Sequence, residues 1–309
     1  MRKALLLYNP LSGRRQGRRV HEVESAQSVL RAGGVEAASA ATAGPSDAAG
    51  QVRQAIDGGC DAVFACGGDG TVHDVVQGLV GSSTALGVIP LGTANSLAHD
   101  LGLPLSPTGA ARAALTARPR RIAVGRVAYR GLNDAEDTRY FTVTAGIGVD
   151  AHLFYKLNPM AKRRLGMAAY YAKATRLWLT HKMEKFAIEL DGEAPRSAEV
   201  TQLLAVRIRH FGGVLRELAP GASLDREDLR LVLFHTRSRA AYLGYVMRGL
   251  LGAKWDVPGI ELMYGTRVSC HPLEKSSRIF VEADGEVLGR LPAEISVVPD
   301  ALTILSRAG

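Results

Sequence analysis

Residues 61 to 80, DAVFACGGDGTVHDVVQGLV, constrain the fold more than any other stretch of the chain. Ala62-Val63-Phe64-Ala65-Cys66 is a short apolar run of the kind that forms a strand buried on both faces. Gly67-Gly68-Asp69-Gly70-Thr71 follows at once. Val72, Val75, Val76, Leu79 and Val80 then recur at the spacing of one apolar helix stripe. The reading is strand, glycine turn, helix. Glycines so close together let the backbone take positive φ and let a ligand approach the main chain. The first N–H groups of the helix have no intrahelical partner and point toward an anion, phosphate above all. A tight turn without a ligand is the plain alternative. Asp69 and Thr71 weigh against it, because a carboxylate beside a phosphate cradle makes sense when Mg²⁺ or a transferable proton is also present. The stretch meets neither G-x-x-x-x-G-K-[ST] nor the third glycine of G-x-G-x-x-G.

Ala4 to Tyr8 is a second buried-strand segment, closed by Asn9-Pro10-Leu11-Ser12-Gly13, a turn able to offer donors to a nucleotide. Arg14, Arg15, Arg18 and Arg19 open a helix running through Val20, Val23, Ala26 and Leu30. Arg14 or Arg15 is expected to touch phosphate, and the other arginines to be a solvated helix start. Val35 to Thr42 reads as a strand, Ala48 to Ile56 as a helix, and Leu86 to Ile89 as a strand closed by Pro90-Leu91-Gly92-Thr93-Ala94-Asn95-Ser96. Strands alternating with helices predict a Rossmann-like parallel sheet covered on both faces, with ligands at the carboxyl ends of its strands.

Near Arg118 to Val127 the pattern changes to short alternating or β-branched runs: 121–127, 140–144, 186–190, 200–208, 229–234, 267–271, 279–283 and 294–298. Many strands with few helices predict an antiparallel sandwich. The expected division is an α/β domain over 1–125, an all-β-rich sandwich over 126–300, and a tail over 301–309 returning to the first domain. One helical segment, Pro159 to about Lys185, interrupts the strands and carries Lys162, Arg163, Arg164, Lys173, Arg176, Lys182 and Lys185 beside aromatic and aliphatic residues. Such a helix can lie on an anionic membrane, although packing on the sandwich is the plainer reading.

A chain of 309 residues with 47% hydrophobic and 22% charged residues is globular and long enough for two cores. The net charge of +8 favours anionic partners. Aromatics are only 6% and do not alternate with basic residues, so no nucleic acid is expected. Cys60, Cys66 and Cys270 have neither the number nor the spacing of a disulfide framework or a zinc site. The apolar run after Met1-Arg2-Lys3 is too short for a signal peptide, and no stretch reaches 18 uninterrupted apolar residues. The expectation is a cytoplasmic protein, peripheral at the inner membrane surface if it meets a membrane at all.

Gly67 to Thr71 resembles the GGDGT loop of the diacylglycerol kinase catalytic family, which includes sphingosine and ceramide kinases and bacterial lipid kinases. NAD kinases and 6-phosphofructokinases carry a related loop. Asn9, Pro10, Ser12 and Gly13 match that family's NPxSG motif, and Thr42 falls where it places a nucleotide-contacting threonine. Gly92, Thr93 and Asn95 match its P-x-G-T-x-N block, with Ser96 in place of an acid and His99 in place of an arginine. Gly146 to Ala151 resembles G-x-G-x-D-A, while Phe211-Gly212-Gly213 with Ala219-Pro220-Gly221-Ala222 resembles a further block. Asp284-Gly285-Glu286 matches D-G-E, with Pro292 following. The ordered blocks run from Asn9 to Pro292 and select this family over the NAD kinases.

The resemblance implies ATP and Mg²⁺ as cofactors, an active site in the interdomain cleft and a lipid hydroxyl as acceptor at the membrane surface. It makes Gly67 to Thr71, helped by Asn9, Ser12 and Thr93, the phosphate cradle, and Asp284 the base, with Glu286 as its neighbour or as an alternative base. The family's structural magnesium loop, D-D-G-x-L-D, is here Asp225-Arg226-Glu227-Asp228-Leu229-Arg230, leaving Asp225 and Asp228 as its metal ligands. The junction motif I-D-x-G reads Ile122-Ala123-Val124-Gly125, without its acid. With Ser96, three acids are missing. An ATP-dependent lipid kinase is the leading reading. A lipid- or nucleotide-binding relative that has lost catalysis is the second, and a kinase of a soluble alcohol the third. A homodimer through the sandwich is compatible with all three.

Overall fold

A computed structural model describes residues 1–10, 16–42, 44, 47–149, 151, 182–191, 196–212, 217–252, 255–274 and 276–306. The first half runs β1 (Lys3–Tyr8), α1 (Gln16–Ala32), β2 (Glu36–Ala41), α2 (Asp47–Asp57), β3 (Ala62–Gly67), α3 (Asp69–Leu79) and β4 (Ala85–Pro90). β1 lies between β2 and β3, and β3 pairs with β4, all in parallel. Every residue of β3 and β4 is buried, which is why both read as unbroken apolar runs. Val23, Ala26 and Leu30 of α1 cover one sheet face with Leu6 and Phe64. Val52 of α2 and Val72, Val75, Val76 and Leu79 of α3 cover the other with Leu7 and Val63. Two short helices follow, α4 (Ser96–Asp100) and α5 (Pro107–Thr116), the latter capped by the Ser106 side chain accepting from the Gly109 N–H at 3.2 Å.

The second half is antiparallel: β5 (Arg118–Gly131), β6 (Glu136–Phe141), β7 (Thr144–Gly148), β8 (Phe186–Asp191), β9 (Arg196–Val200), β10 (Gln202–Val206), β11 (Leu229–Phe234), α6 (Arg239–Leu251), β12 (Ile260–Gly265), β13 (Arg267–Pro272), β14 (Phe280–Ala283) and β15 (Glu286–Ser306). Phe141, Ile147, Phe186, Leu203, Leu231, Val281 and Ile295 fill its core. β15 joins the halves. It pairs with β14, β13 and β5 along its length, and its end runs parallel to β4 with Ile304 opposite Leu86. The strands therefore form one hydrogen-bonded sheet, and residues 125 and 300 both lie inside strands that serve both halves.

Several local expectations change. The run 140–144 is broken, because the N–H groups of Thr142 and Val143 turn to the Asp284 carboxylate. The run 200–208 breaks at Thr201, whose N–H and hydroxyl bond to the Phe234 carbonyl. The basic helix expected over 159–185 lies outside the described residues, except for Lys182 to Lys185, which are irregular chain leading into β8. α5, α6, β9 and β12 were not expected from the sequence.

Candidate active site

The carboxyl ends of β3 and β4 place two loops side by side. The Leu91 N–H donates to the Gly67 carbonyl at 2.8 Å, and Gly68 passes so close to Gly92 that a Cβ on Gly92 would lie 2.4 Å from the Gly68 Cα. Gly67, Gly68 and Gly70 all keep negative φ, so they serve close approach and not the left-handed backbone that their clustering suggested. Asn95 adopts the left-handed conformation and folds its side chain back on the loop: Gly92 N–H donates to its Oδ1 at 2.8 Å, and its Nδ2 donates to the Gly92 carbonyl at 3.1 Å. Asp69 opens α3 and accepts the Ser96 N–H at 2.6 Å, tying the two loops together. Burial lifts the Asp69 carboxyl above its ordinary value, although the Ser96 N–H pulls it back in part.

These loops form one wall of a cavity of about 1230 Å³. Asn9, Gly68, Gly70, Thr71, Gly92 and Thr93 line it from the first half, together with Arg19, Arg53, His73, Asp74 and Gln77; Tyr129, Arg139, Tyr140, Glu286 and Leu288 close it from the second. Gln77 holds the halves in register: its Nε2 donates to the Tyr140 carbonyl at 2.8 Å, and its Oε1 accepts the Tyr140 N–H at 2.9 Å.

Asp284 and Gly285 form the two-residue turn between β14 and β15, both at positive φ, the backbone that an Asp-Gly pair favours. The Asp284 side chain is only 2% exposed. Its carboxylate accepts N–H groups from Thr142 (3.1 Å), Val143 (2.9 Å) and Thr144 (3.1 Å), and it faces His73 Nδ1 at 3.4 Å. Glu286, two residues on, reaches the cavity itself. Burial raises its carboxyl above the ordinary range, with His73 opposing. Asp74 beside it is pushed up to about 6, chiefly by burial, with the charge of Glu286 adding to the rise. The cavity thus sets two carboxyls with raised affinity for protons, Asp74 and Glu286, beside a glycine cradle, with Arg19, Arg53 and Arg139 in the same lining.

Most residues named from the sequence gather here, in the cavity wall or, for Gly67, Asp69, Asn95 and Asp284, directly behind it. Pro10 follows β1, half-buried, and Ser12 and Gly13 lie outside the described residues. Thr42 is buried past the end of β2, where its N–H donates to the Tyr8 carbonyl at 2.9 Å, and it does not line the cavity. Asp225 and Asp228 each have an arginine partner. Asp225 pairs with Arg120, and Arg226 holds Asp228 in a two-pronged contact at 2.6 Å. No cluster of three metal-ligating side chains exists among the described residues.

Arg19 was missed. Placed by its sequence neighbours on a solvated helix start, it is instead buried in the cavity wall and donates to the Leu91 carbonyl at 3.0 Å. A signal was present, since residues 19, 23, 26 and 30 share one helix stripe, whereas Val20 is 46% exposed. His73, Asp74 and Gln77 were also missed, although with Gly70 they make a polar stripe opposite Val72, Val75, Val76 and Leu79.

A parallel α/β half with a glycine cradle, facing a β-sandwich across a cavity, defines a two-part kinase of the NAD kinase-like fold. The family model described as diacylglycerol kinase catalytic domain matches residues 3–127, and the YegS C-terminal NAD kinase beta sandwich-like domain matches residues 143–306. The chain belongs to the diacylglycerol kinase catalytic-domain family, a family of lipid kinases. A diacylglycerol kinase of Bacillus subtilis is 30% identical over 95% of this chain and 93% of its own length. One from Mycobacterium tuberculosis is 31% identical over 98% of this chain and 94% of its own. Among solved structures, a diacylglycerol kinase from Bacillus anthracis shares the fold with a TM-score of 0.71 at 18% identity, covering 98% of this chain and 96% of that one. Yeast NADH kinase shares it more distantly, with a TM-score of 0.52 at 9% identity over 100% of this chain and 84% of its own.

Proposed function

We propose that this chain transfers the γ-phosphate of ATP to a hydroxyl of a lipid such as diacylglycerol or a sphingoid or ceramide-type lipid. The observation that carries this reading is the meeting of cradle and carboxylate in one cavity: a Cβ on Gly70 would lie 3.0 Å from Glu286 Oε1. The opening turn of α3, with Gly68 and Gly92, accommodates phosphate oxygens against the main chain, while Arg19 and Arg53 supply positive charge and Asn9, Thr71 and Thr93 offer polar contacts. Mg²⁺ brought by the nucleotide would offset charge on the phosphates, and Asp74, Glu136, Asp137 and Glu286 are the carboxylates lining the cavity, among the described residues, that could share it.

The proton of the acceptor hydroxyl goes to Glu286. Burial raises its affinity for a proton, and its side chain lines the cavity within reach of the cradle. Asp284, committed to three backbone N–H groups, is a positioning residue that holds the turn and faces His73. The acceptor approaches from a membrane surface. Leu243, Val246, Met247, Leu251 and Trp255, between 41% and 62% exposed, lie on and just beyond the outer face of α6 and suit peripheral contact with lipid. No helix among the described residues is long and apolar enough to cross a membrane.

The test is transfer of labelled γ-phosphate from ATP to a panel of lipids in mixed micelles. A phosphorylated lipid is expected, with kcat falling about 10²- to 10⁴-fold in Glu286→Gln and KM for ATP little changed. Bound ATP with no transfer to any lipid would sink the reading and leave a binding protein on a kinase scaffold. Full activity in Glu286→Gln would move the base to Asp284.

A further inference from the structure

Arg207 follows β10 and is completely buried at the junction of the two halves. Its own N–H donates to the Val143 carbonyl at 2.9 Å, which fixes the backbone. The guanidinium then gathers carbonyls from two distant segments. Nη1 donates to the carbonyls of Arg226 at 2.9 Å and Asp228 at 2.5 Å. Nη2 donates to the carbonyl of Ala123 at 2.9 Å and, at longer range, to that of Leu224 at 3.4 Å. Ala123 sits in β5 where its pairing with β15 slips register, between Val124 opposite Val298 and Ile122 opposite Leu302.

Carbonyl oxygens converging in a buried space repel one another unless a positive charge lies between them. A divalent ion is one solution. Magnesium, though, demands an octahedron of oxygens at about 2.0–2.1 Å and favours carboxylates. Here the planar fork takes that space, and the acids nearby are already engaged, Asp225 with Arg120 and Asp228 with Arg226. The donor set does not fit a bound magnesium ion. We propose that the Arg207 guanidinium is the permanent cation of this junction, closing the 224–228 loop onto β5 with a side chain where a metal would otherwise be needed.

The departures at positions 123 and 226 from the motifs that the chain resembles fit one pattern. With a single fixed charge in place, Ala123 contributes only its carbonyl, and Arg226 neutralises Asp228. Burial lowers Arg207 to about 10, so the group stays charged at neutral pH. A fixed cation also makes the junction indifferent to chelators, independently of any Mg²⁺ that the nucleotide brings.

The test is thermal unfolding of the full chain without nucleotide, in millimolar EDTA and in millimolar MgCl₂. The wild-type midpoints are expected to coincide within about a degree, as are those of Asp225→Asn in the two conditions. Arg207→Met, which keeps the stem and deletes the charge, is expected to lower the midpoint by on the order of 10 °C. Arg207→Lys, which keeps the charge and loses the fork, should fall between. A wild-type midpoint that rises by several degrees in MgCl₂ would overturn the proposal, and so would an Arg207→Met protein as stable as wild type. If Arg207→Met does not accumulate, the wild-type comparison and Arg207→Lys still decide the matter.

Discussion

Gly68 and Gly92 face each other with no room for a β-carbon on Gly92, and that contact belongs to two loops 24 positions apart in the chain. Each glycine was legible as part of a local motif, but the reason for it was not, because a close approach between loops leaves no mark on either loop alone. Arg19 and Asp74 show the same limit. Each belongs to a helix stripe visible in the sequence, but only the fold shows that the stripe faces a cavity. Asp74 carries a testable consequence. Its folded value of about 6 lies above the ordinary 3.8, so the folded state holds a proton that the unfolded chain releases between those limits. Folding is therefore unpenalised below about pH 4 and bears the full cost of the buried charge above about pH 6. Asp74→Asn is expected to melt above wild type at pH 7.5, with the gap narrowing as pH falls through 6 and vanishing near 4. Thermal melts across that range check it, and a gap constant with pH would refute the assignment.

At the scale of elements, β3 and β4 with α2 and α3 were legible because burial on both faces and amphipathic stripes leave strong patterns. α6 was not, for the opposite reason. Tyr242 and Tyr245 pack inward, the Tyr245 hydroxyl donating to the Leu218 carbonyl at 2.6 Å, while Leu243, Val246, Met247 and Leu251 point outward, so the sequence offers no polar face to contrast with an apolar one. β12 was missed as a strand whose residues are mostly half-buried. An apolar outer face matters on a lipid kinase. Replacing Met247 and Leu251 by Asp removes apolar groups without touching the core, and is expected to weaken binding to phosphatidylglycerol vesicles by on the order of tenfold or more. Activity on a short-chain lipid dispersed in detergent should be retained. Co-sedimentation with vesicles measures the first and the transfer assay the second. Equal sedimentation of variant and wild type would count against the membrane reading, and a loss of self-association in the variant would assign the face to a second copy.

The whole molecule depends on β15. A change of pattern near Arg118 marked where one architecture gives way to the other, and a returning tail was expected, but nothing local shows that β5 and β15 run unbroken through both halves. The tail is not an appendage. Leu302, Ile304 and Leu305 are buried against the first half, and at about 1.5–3 kcal/mol for each such side chain they contribute on the order of 5–9 kcal/mol. That is comparable with the whole stability of an ordinary domain, about 5–15 kcal/mol. A chain ended after Pro299 is therefore expected not to accumulate in folded form. Ile304→Ala is the finer probe. It opens a cavity beside β4, at a cost of about 2–5 kcal/mol. Amide hydrogen exchange of β3 reports on the first half, and that of β10 on the second. If one sheet binds the molecule into one cooperative unit, Ile304→Ala lowers the protection of both strands together. Protection of β10 left at the wild-type level while β3 exchanges early would show instead that the halves unfold separately, and that β15 is a tether between two domains.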